Sequence, residues 1–121
     1  MARTALTYSK LVGNSSVADP AGTPVDPTNG HTVANAQFDR TVFRVNNTAA
    51  TAKTVTVKAG AYPPAMAAGQ GDLVVSVAAG ATAWLGPFES GRFGNSDGSL
   101  NVDLAAGTTG TITPFLLPKA V

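Results

Sequence analysis

The sequence predicts an all-β fold, a single antiparallel β-sandwich of jelly-roll or immunoglobulin-like type with seven or eight short strands. From residue 38 onward, apolar and polar residues alternate in short runs, which is the period of a half-buried strand. These runs recur about every 8–14 residues and are separated by Gly, Asn and Asp turns, a spacing typical of sandwiches and barrels. The sequence contains no helical stripe longer than two turns, so helices are not expected to build the core.

The first third of the chain lacks this regularity. Residues 1–12 are interpreted as an N-terminal arm or a first strand, because "RTALTYSKLV" mixes alternating and β-branched residues. Residues 13–37 are interpreted as a Pro/Gly-rich surface loop, since Pro20, Pro24 and Pro27 each disfavour helix and remove a backbone donor. Residues 38–121 are expected to form the sandwich core of a one-domain protein of 121 residues.

The core strands follow in order. In the first, Phe43 and Val45 face one side while Arg44 and Asn46 face the other. The remaining runs are "KTVTVKAG", "DLVVSVAAG", "TAWLGPF", "SLNVDL" and "GTTGTITPFLLP". A second irregular loop, residues 59–71, separates the first two of these runs.

Composition excludes several classes of function. The net charge is +1 and the basic residues are scattered, whereas a nucleic-acid surface needs clustered Lys and Arg. No apolar run approaches the length of a membrane span, and the N-terminus lacks the apolar centre of a signal peptide. The absence of cysteine excludes disulfides and thiolate metal sites. We therefore expect no nucleic-acid or membrane partner, and assembly inside a cell.

Residues that could support catalysis or metal binding are few. His31 is the only histidine and follows Asn29-Gly30, where a solvated or capping role is common; a catalytic role would need a nucleophile and an acid nearby in space. The run Asn95–Asp103 places oxygen ligands at alternate positions but lacks the closing Glu of a calcium loop, so a hairpin turn at Asp97-Gly98 is favoured. No catalytic residue, cofactor or metal is expected, and the protein is interpreted as a non-enzyme.

Trp84 is the only tryptophan in the chain and lies among small residues in "AAGATAWLGPF". A tryptophan in this setting is usually a core anchor, because burial of its large side chain stabilises a fold by several kcal/mol. Tryptophan is also enriched at interface hot spots. Trp84 is accordingly interpreted as a core residue, with an interface position as the alternative.

Motifs over most of the chain resemble those of small proteins of tailed bacteriophages and prophages of high-GC bacteria. They are Val55–Gly60, Gly69–Leu73, Ala78–Thr82, Gly86–Glu89 and Asp97–Asp103, with Arg92-Phe93 and the opening "MARTALT". The resemblance implies a capsid decoration protein, which binds the major capsid protein on the outside of the head after assembly in the host cytoplasm. It also implies a homo-oligomer, commonly a trimer on threefold or quasi-threefold positions, and a location in the virion.

Three segments and Trp84 are the candidate contacts with the capsid or with other copies. They are the N-terminal arm (Arg3, Leu6, Tyr8, Lys10), the Pro-rich loop (Pro20, Pro24, Pro27, His31) and the "AYPPAM" loop (Tyr62, Pro63, Pro64, Met66). Two other functions are compatible with the sequence. A receptor- or carbohydrate-binding module would present an exposed aromatic platform, and a small hydrolase would bring His31 and an acid together in a pocket.

Overall fold

Two β-sheets packed face to face form the protein, which confirms the all-β sandwich predicted from the sequence. The computed structural model describes residues 3–60, 71–88, 90–95 and 97–118. The described residues form ten strands rather than seven or eight: β1 (Thr4–Ala5), β2 (Ser9–Lys10), β3 (Thr23–Pro24), β4 (His31–Val33), β5 (Thr41–Asn47), β6 (Lys53–Val57), β7 (Leu73–Val77), β8 (Thr82–Leu85), β9 (Leu100–Leu104) and β10 (Gly110–Leu116). A 3-10 turn, η1 (Phe38–Arg40), and a one-turn helix, α1 (Ser90–Phe93), complete them.

In the part of the chain that the structure describes, each sheet has five strands. Sheet A runs in the order β1-β4-β9-β6-β7, and sheet B in the order β2-β10-β5-β8 with β3 also paired to β10. Every pair is antiparallel except β1 with β4 and β2 with β10. The two sheets are therefore mixed, whereas the sequence predicted an antiparallel sandwich. The difference was not predictable, because alternation of apolar and polar residues along a strand does not show in which direction the neighbouring strand runs.

The core forms between the sheets from the inward residues of alternating strands. Phe43 and Val45 of β5 are fully buried, as are Leu100 and Val102 of β9 on the opposite sheet. Phe88 packs against Phe43 with ring centroids 5.5 Å apart. Burial of each such side chain contributes about 1.5–3 kcal/mol, so this layer is the main source of stability.

The N-terminal segment fastens to both sheets. β1 extends sheet A and β2 extends sheet B, and between them Leu6 inserts into the core. The Tyr8 hydroxyl lies 2.6 Å from Thr41 Oγ1 and accepts a hydrogen bond from the Gln37 N–H at 3.0 Å. Residues 3–10 are therefore part of the sandwich rather than a free arm.

The segment 13–37, interpreted as a surface loop, contains the short strands β3 and β4. His31 and Val33 of β4 are buried and alternate with Thr32, but three residues are too few to give a periodic signal between so many prolines and glycines. Pro24 lies in β3, which pairs only with β10 in the described part of the chain, and an edge strand tolerates a missing donor.

Pro114 occupies the centre of β10, where a proline would ordinarily remove a ladder hydrogen bond. On the side away from β5, the carbonyls of Gly110 and Leu116 accept bonds from Val25 and Leu11. The backbone N–H and C=O groups of alternate residues point to the same edge of a strand, so the Pro114 nitrogen also faces away from β5. β3 pairs up to Ile112 and β2 pairs from Phe115, so the proline falls in the gap between them.

Candidate functional site

A groove of about 670 Å³ lies on the outer face of sheet B. Its floor comes from the strands β5, β8 and β10, and one wall comes from residues 19–21 of the loop that follows β2. The floor residues are Arg44, Asn46, Thr82, Trp84 and Thr111. The volume falls in the range of small-ligand sites, and this groove is the candidate functional site.

The strand register explains why these side chains meet. Arg44 lies opposite Trp84, and Asn46 lies opposite Thr82 on one side and Thr111 on the other. All five point outward because the alternate positions on the same strands point into the core. Three strands that are not consecutive in sequence thus place their polar and aromatic side chains on one patch.

Trp84 is 61% exposed, so the interpretation of this residue as a core anchor is wrong. Leu85 of the same strand is buried, and period-two alternation therefore turns Trp84 outward. Its ring lies 5.3 Å from that of Phe115, which is itself nearly buried on the outer face of β10. Trp84 thus packs against Phe115 and remains mostly exposed to water.

Arg44 is held in place from several directions. Its guanidinium forms an ion pair with Asp19, donates to the Pro20 carbonyl at 2.8 Å and lies 5.5 Å from the Phe115 ring centroid. The Arg44 side chain is only 12% exposed, whereas that of Asp19 is 80% exposed. The pair fixes the loop wall against the strands and leaves the groove lining with no net charge.

His31 is fully buried rather than solvated. Its Nε2 accepts a hydrogen bond from the Asp26 N–H at 3.0 Å, and its Nδ1 lies 3.3 Å from the Thr4 carbonyl oxygen. Since a carbonyl can only accept, Nδ1 carries the proton and Nε2 does not. Burial lowers the pKa of His31, which favours this neutral form. Both ring nitrogens therefore form hydrogen bonds with backbone groups, and the buried side chain has no exposed surface that a partner could contact.

The other candidate contact residues are dispersed. Arg3 forms an ion pair with Asp103 and lies 3.3 Å from the Val102 carbonyl, so it binds within the chain. Leu6 and Tyr8 belong to the packing described above. Lys10 and Pro24 are exposed, Pro20 and Pro27 are half-buried, and Tyr62, Pro63, Pro64 and Met66 lie outside the described residues.

An exposed loop, residues 11–18, joins β2 to the wall of the groove. Val12 is 60% exposed and Val17 is 43% exposed, and the segment carries no charged residue. The Leu11 N–H donates to the Leu116 carbonyl at one end, and Arg44 holds Asp19 just beyond the other. Sequence reasoning placed residues 13–18 in a surface loop but named no contact residue between Lys10 and Pro20, although the uncharged stretch between Lys10 and Asp19 was a usable signal.

Asp97 and Gly98 form a turn, but the prediction of a hairpin is wrong, because the element before this turn is α1 and β9 after it pairs with β4 and β6. Asp97 Oδ1 accepts from the Ser99 N–H at 3.1 Å and from the Ser99 hydroxyl at 2.7 Å. These bonds lower the pKa of Asp97, the hydroxyl bond most. Among residues 3–60, 71–88, 90–95 and 97–118, no group of three or more His, Asp or Glu side chains could hold a metal ion.

The described residues contain no helix long and apolar enough to cross a membrane. Comparison with protein families, with curated proteins and with solved structures found no match to this chain.

Proposed function

We propose that the chain is a non-enzymatic capsid decoration protein. In this role it binds the outer surface of a tailed-phage head, contacts the major capsid protein and stabilises the boundaries between capsid subunits. The proposal rests first on the resemblance of its turn motifs to those of phage decoration proteins. It includes a homotrimer and a location on the virion surface, which the same resemblance implies.

The observation that carries the proposal is the loop 11–18. It is exposed, uncharged and tied down at both ends, so that its backbone can meet a partner without a large loss of conformational entropy. Val12 and Val17 present apolar surface that a partner would remove from water. Burial of this surface would contribute roughly 1–2 kcal/mol per copy.

The rest of the chain is consistent with a role that needs no chemistry. Only 12% of the residues are charged, about half of the usual share, so desolvation of a broad contact would cost little. A rigid sandwich can hold the loop in one geometry across many copies. If these copies bind the assembled head but not its separate subunits, their binding stabilises the assembled form by mass action.

The test is to mix the purified protein with undecorated phage heads and image them by electron cryo-microscopy. We expect symmetric extra density on the outer shell, with loop 11–18 at the contact. The double variant Val12→Ser/Val17→Ser should bind heads about tenfold more weakly, in line with a loss of about 1.4 kcal/mol. Val74→Ser, which alters a 59% exposed valine on sheet A, is the matched control and should bind normally. Absence of density at saturating protein would refute decoration.

A further inference from the structure

We propose that the groove on the outer face of sheet B is a binding site for a neutral saccharide. This inference goes beyond the proposed capsid decoration, because decoration through loop 11–18 does not require the groove. One face of a sugar ring presents C–H groups and its rim presents hydroxyl groups. The groove offers a complementary pair of features, an open aromatic face and a rim of polar side chains.

Trp84 supplies the aromatic face. The residue is 61% exposed, and the Phe115 ring packs against its ring with the two centroids 5.3 Å apart. Tryptophan has only two side-chain torsions, so holding it for a ligand costs little conformational entropy. An exposed and supported aromatic plane can accept the C–H face of a sugar ring without rearrangement.

Polar groups beside Trp84 can meet the hydroxyls of that ring. The Asn46 Oδ1 accepts from the Thr82 hydroxyl at 3.3 Å, which leaves the Asn46 NH₂ group as a donor toward the groove. Asp19 uses its Oδ1 for Arg44, and its carboxylate is 80% exposed, so Oδ2 can accept from a ligand. The groove thus offers both a donor and an acceptor beside the aromatic face, and a sugar hydroxyl can use either.

Charge argues for a neutral ligand. Asp19 cancels Arg44, and the Arg44 guanidinium is already occupied by Asp19, the Pro20 carbonyl and the Phe115 ring. Binding of single-stranded nucleic acid combines aromatic stacking with a positively charged groove, and this lining has no positive excess. A wholly apolar ligand would strip water from Asn46 and Asp19 without replacing their hydrogen bonds.

The chain itself provides the probe for a test. Trp84 is the only tryptophan, so its fluorescence reports on this groove alone. We would titrate the intact protein with hexasaccharides of β-1,4-linked glucose, β-1,4-linked N-acetylglucosamine and α-1,6-linked mannose, and with the oligonucleotide dT10. The expected result is a saturable fluorescence change with at least one hexasaccharide and none with dT10.

Variants distinguish groove binding from a general effect. Asn46→Ala should weaken binding of that hexasaccharide about fivefold by fluorescence, and Trp84→Ala at least tenfold by calorimetry. Val74→Ala on sheet A should leave the affinity unchanged, and thermal melts should confirm that all variants are folded. No response to any hexasaccharide at 10 mM, tighter binding of dT10, or equal affinity of the groove variants would overturn the proposal.

The same variants separate this inference from the proposed function. Trp84→Ala should still decorate phage heads, whereas Val12→Ser/Val17→Ser should still bind the saccharide. If Trp84→Ala instead abolishes head binding and no hexasaccharide binds, the groove is a capsid contact and the saccharide site is refuted. If saccharide binds and heads do not, decoration fails while the groove proposal stands.

Discussion

The side chain of Asn47 links the two sheets at the end of β5. It is fully buried, and its amide NH₂ lies 3.0 Å from the Val77 carbonyl of sheet A. The same NH₂ lies 3.1 Å from the Thr51 carbonyl and 3.3 Å from that of Ala78. Its Oδ1 accepts from the Ala49 N–H at 3.0 Å. One side-chain amide thus provides hydrogen bonds to backbone groups in the turn after β5 and at the end of β7.

Replacement of Asn47 with alanine should destabilise the fold by about 3–5 kcal/mol. The two N–H donors and one acceptor make at least three hydrogen bonds, each with a net value of about 0.5–1.5 kcal/mol. Each carbonyl or N–H left buried without a partner adds about 1–3 kcal/mol, partly relieved where water enters the space. Asn47→Asp should be at least as harmful, because its carboxylate would face carbonyl oxygens instead of donating to them.

Urea unfolding followed by circular dichroism would measure this loss, with the m-value as a check that unfolding remains two-state. The control is Asn46→Ala, which removes the same residue type from the adjacent, outward-facing position and should cost less than about 1 kcal/mol. A loss below about 1 kcal/mol for Asn47→Ala would refute the reasoning, since it would mean that the amide does not hold the two sheets together.

Two further predictions concern stability. Burial lowers the pKa of His31 below its usual 6.5, so the unfolded chain binds a proton at this residue before the folded chain does as the pH falls. The free energy of unfolding should therefore decrease below about pH 6.5, and urea titrations at pH 7 and pH 5 should show this decrease. His31→Gln should largely remove the difference between the two pH values. Gly60→Ala should lower the free energy of unfolding by more than about 2 kcal/mol, measured by thermal unfolding, because the new Cβ would overlap the Gly94 carbonyl. The control is Gly80→Ala, which lies in open space at a φ of +70° and should lower it by only about 1 kcal/mol. Equal decreases for the two variants would contradict the steric argument.

Sequence reasoning predicted the long strands because their alternation is a direct physical consequence of burial on one face. Phe43 and Val45, and likewise Leu100 and Val102, point into the core as that pattern requires. Residues 1–12 were interpreted as an arm or a first strand but hold two strands, β1 and β2, and the prediction of a loop over residues 13–37 missed β3 and β4. Each of these four strands has only two or three residues, and its pairing partner rather than its own sequence specifies it. Trp84 was misassigned because residue type was given more weight than the register set by its buried neighbour Leu85.

The groove could not be predicted from local patterns. Its floor combines β5, β8 and β10, and its wall depends on an ion pair between Arg44 and Asp19, which lie 25 residues apart in sequence. Alternation did indicate that Arg44 and Asn46 share the outer face of β5. It carried no information on which strands lie beside β5, and cross-strand neighbours decide which outward side chains form a site.

The position of β10 also has a consequence for the order in which the chain folds. It pairs with β2, β3 and β5, and its residue Phe115 lies opposite Ser9, more than 100 positions earlier in the chain. Sheet B therefore cannot close until residues 110–116 have left the ribosome, and β5 must wait with one edge unpaired. Such distant pairing gives a high contact order, so the complete sandwich should form in milliseconds to seconds rather than microseconds.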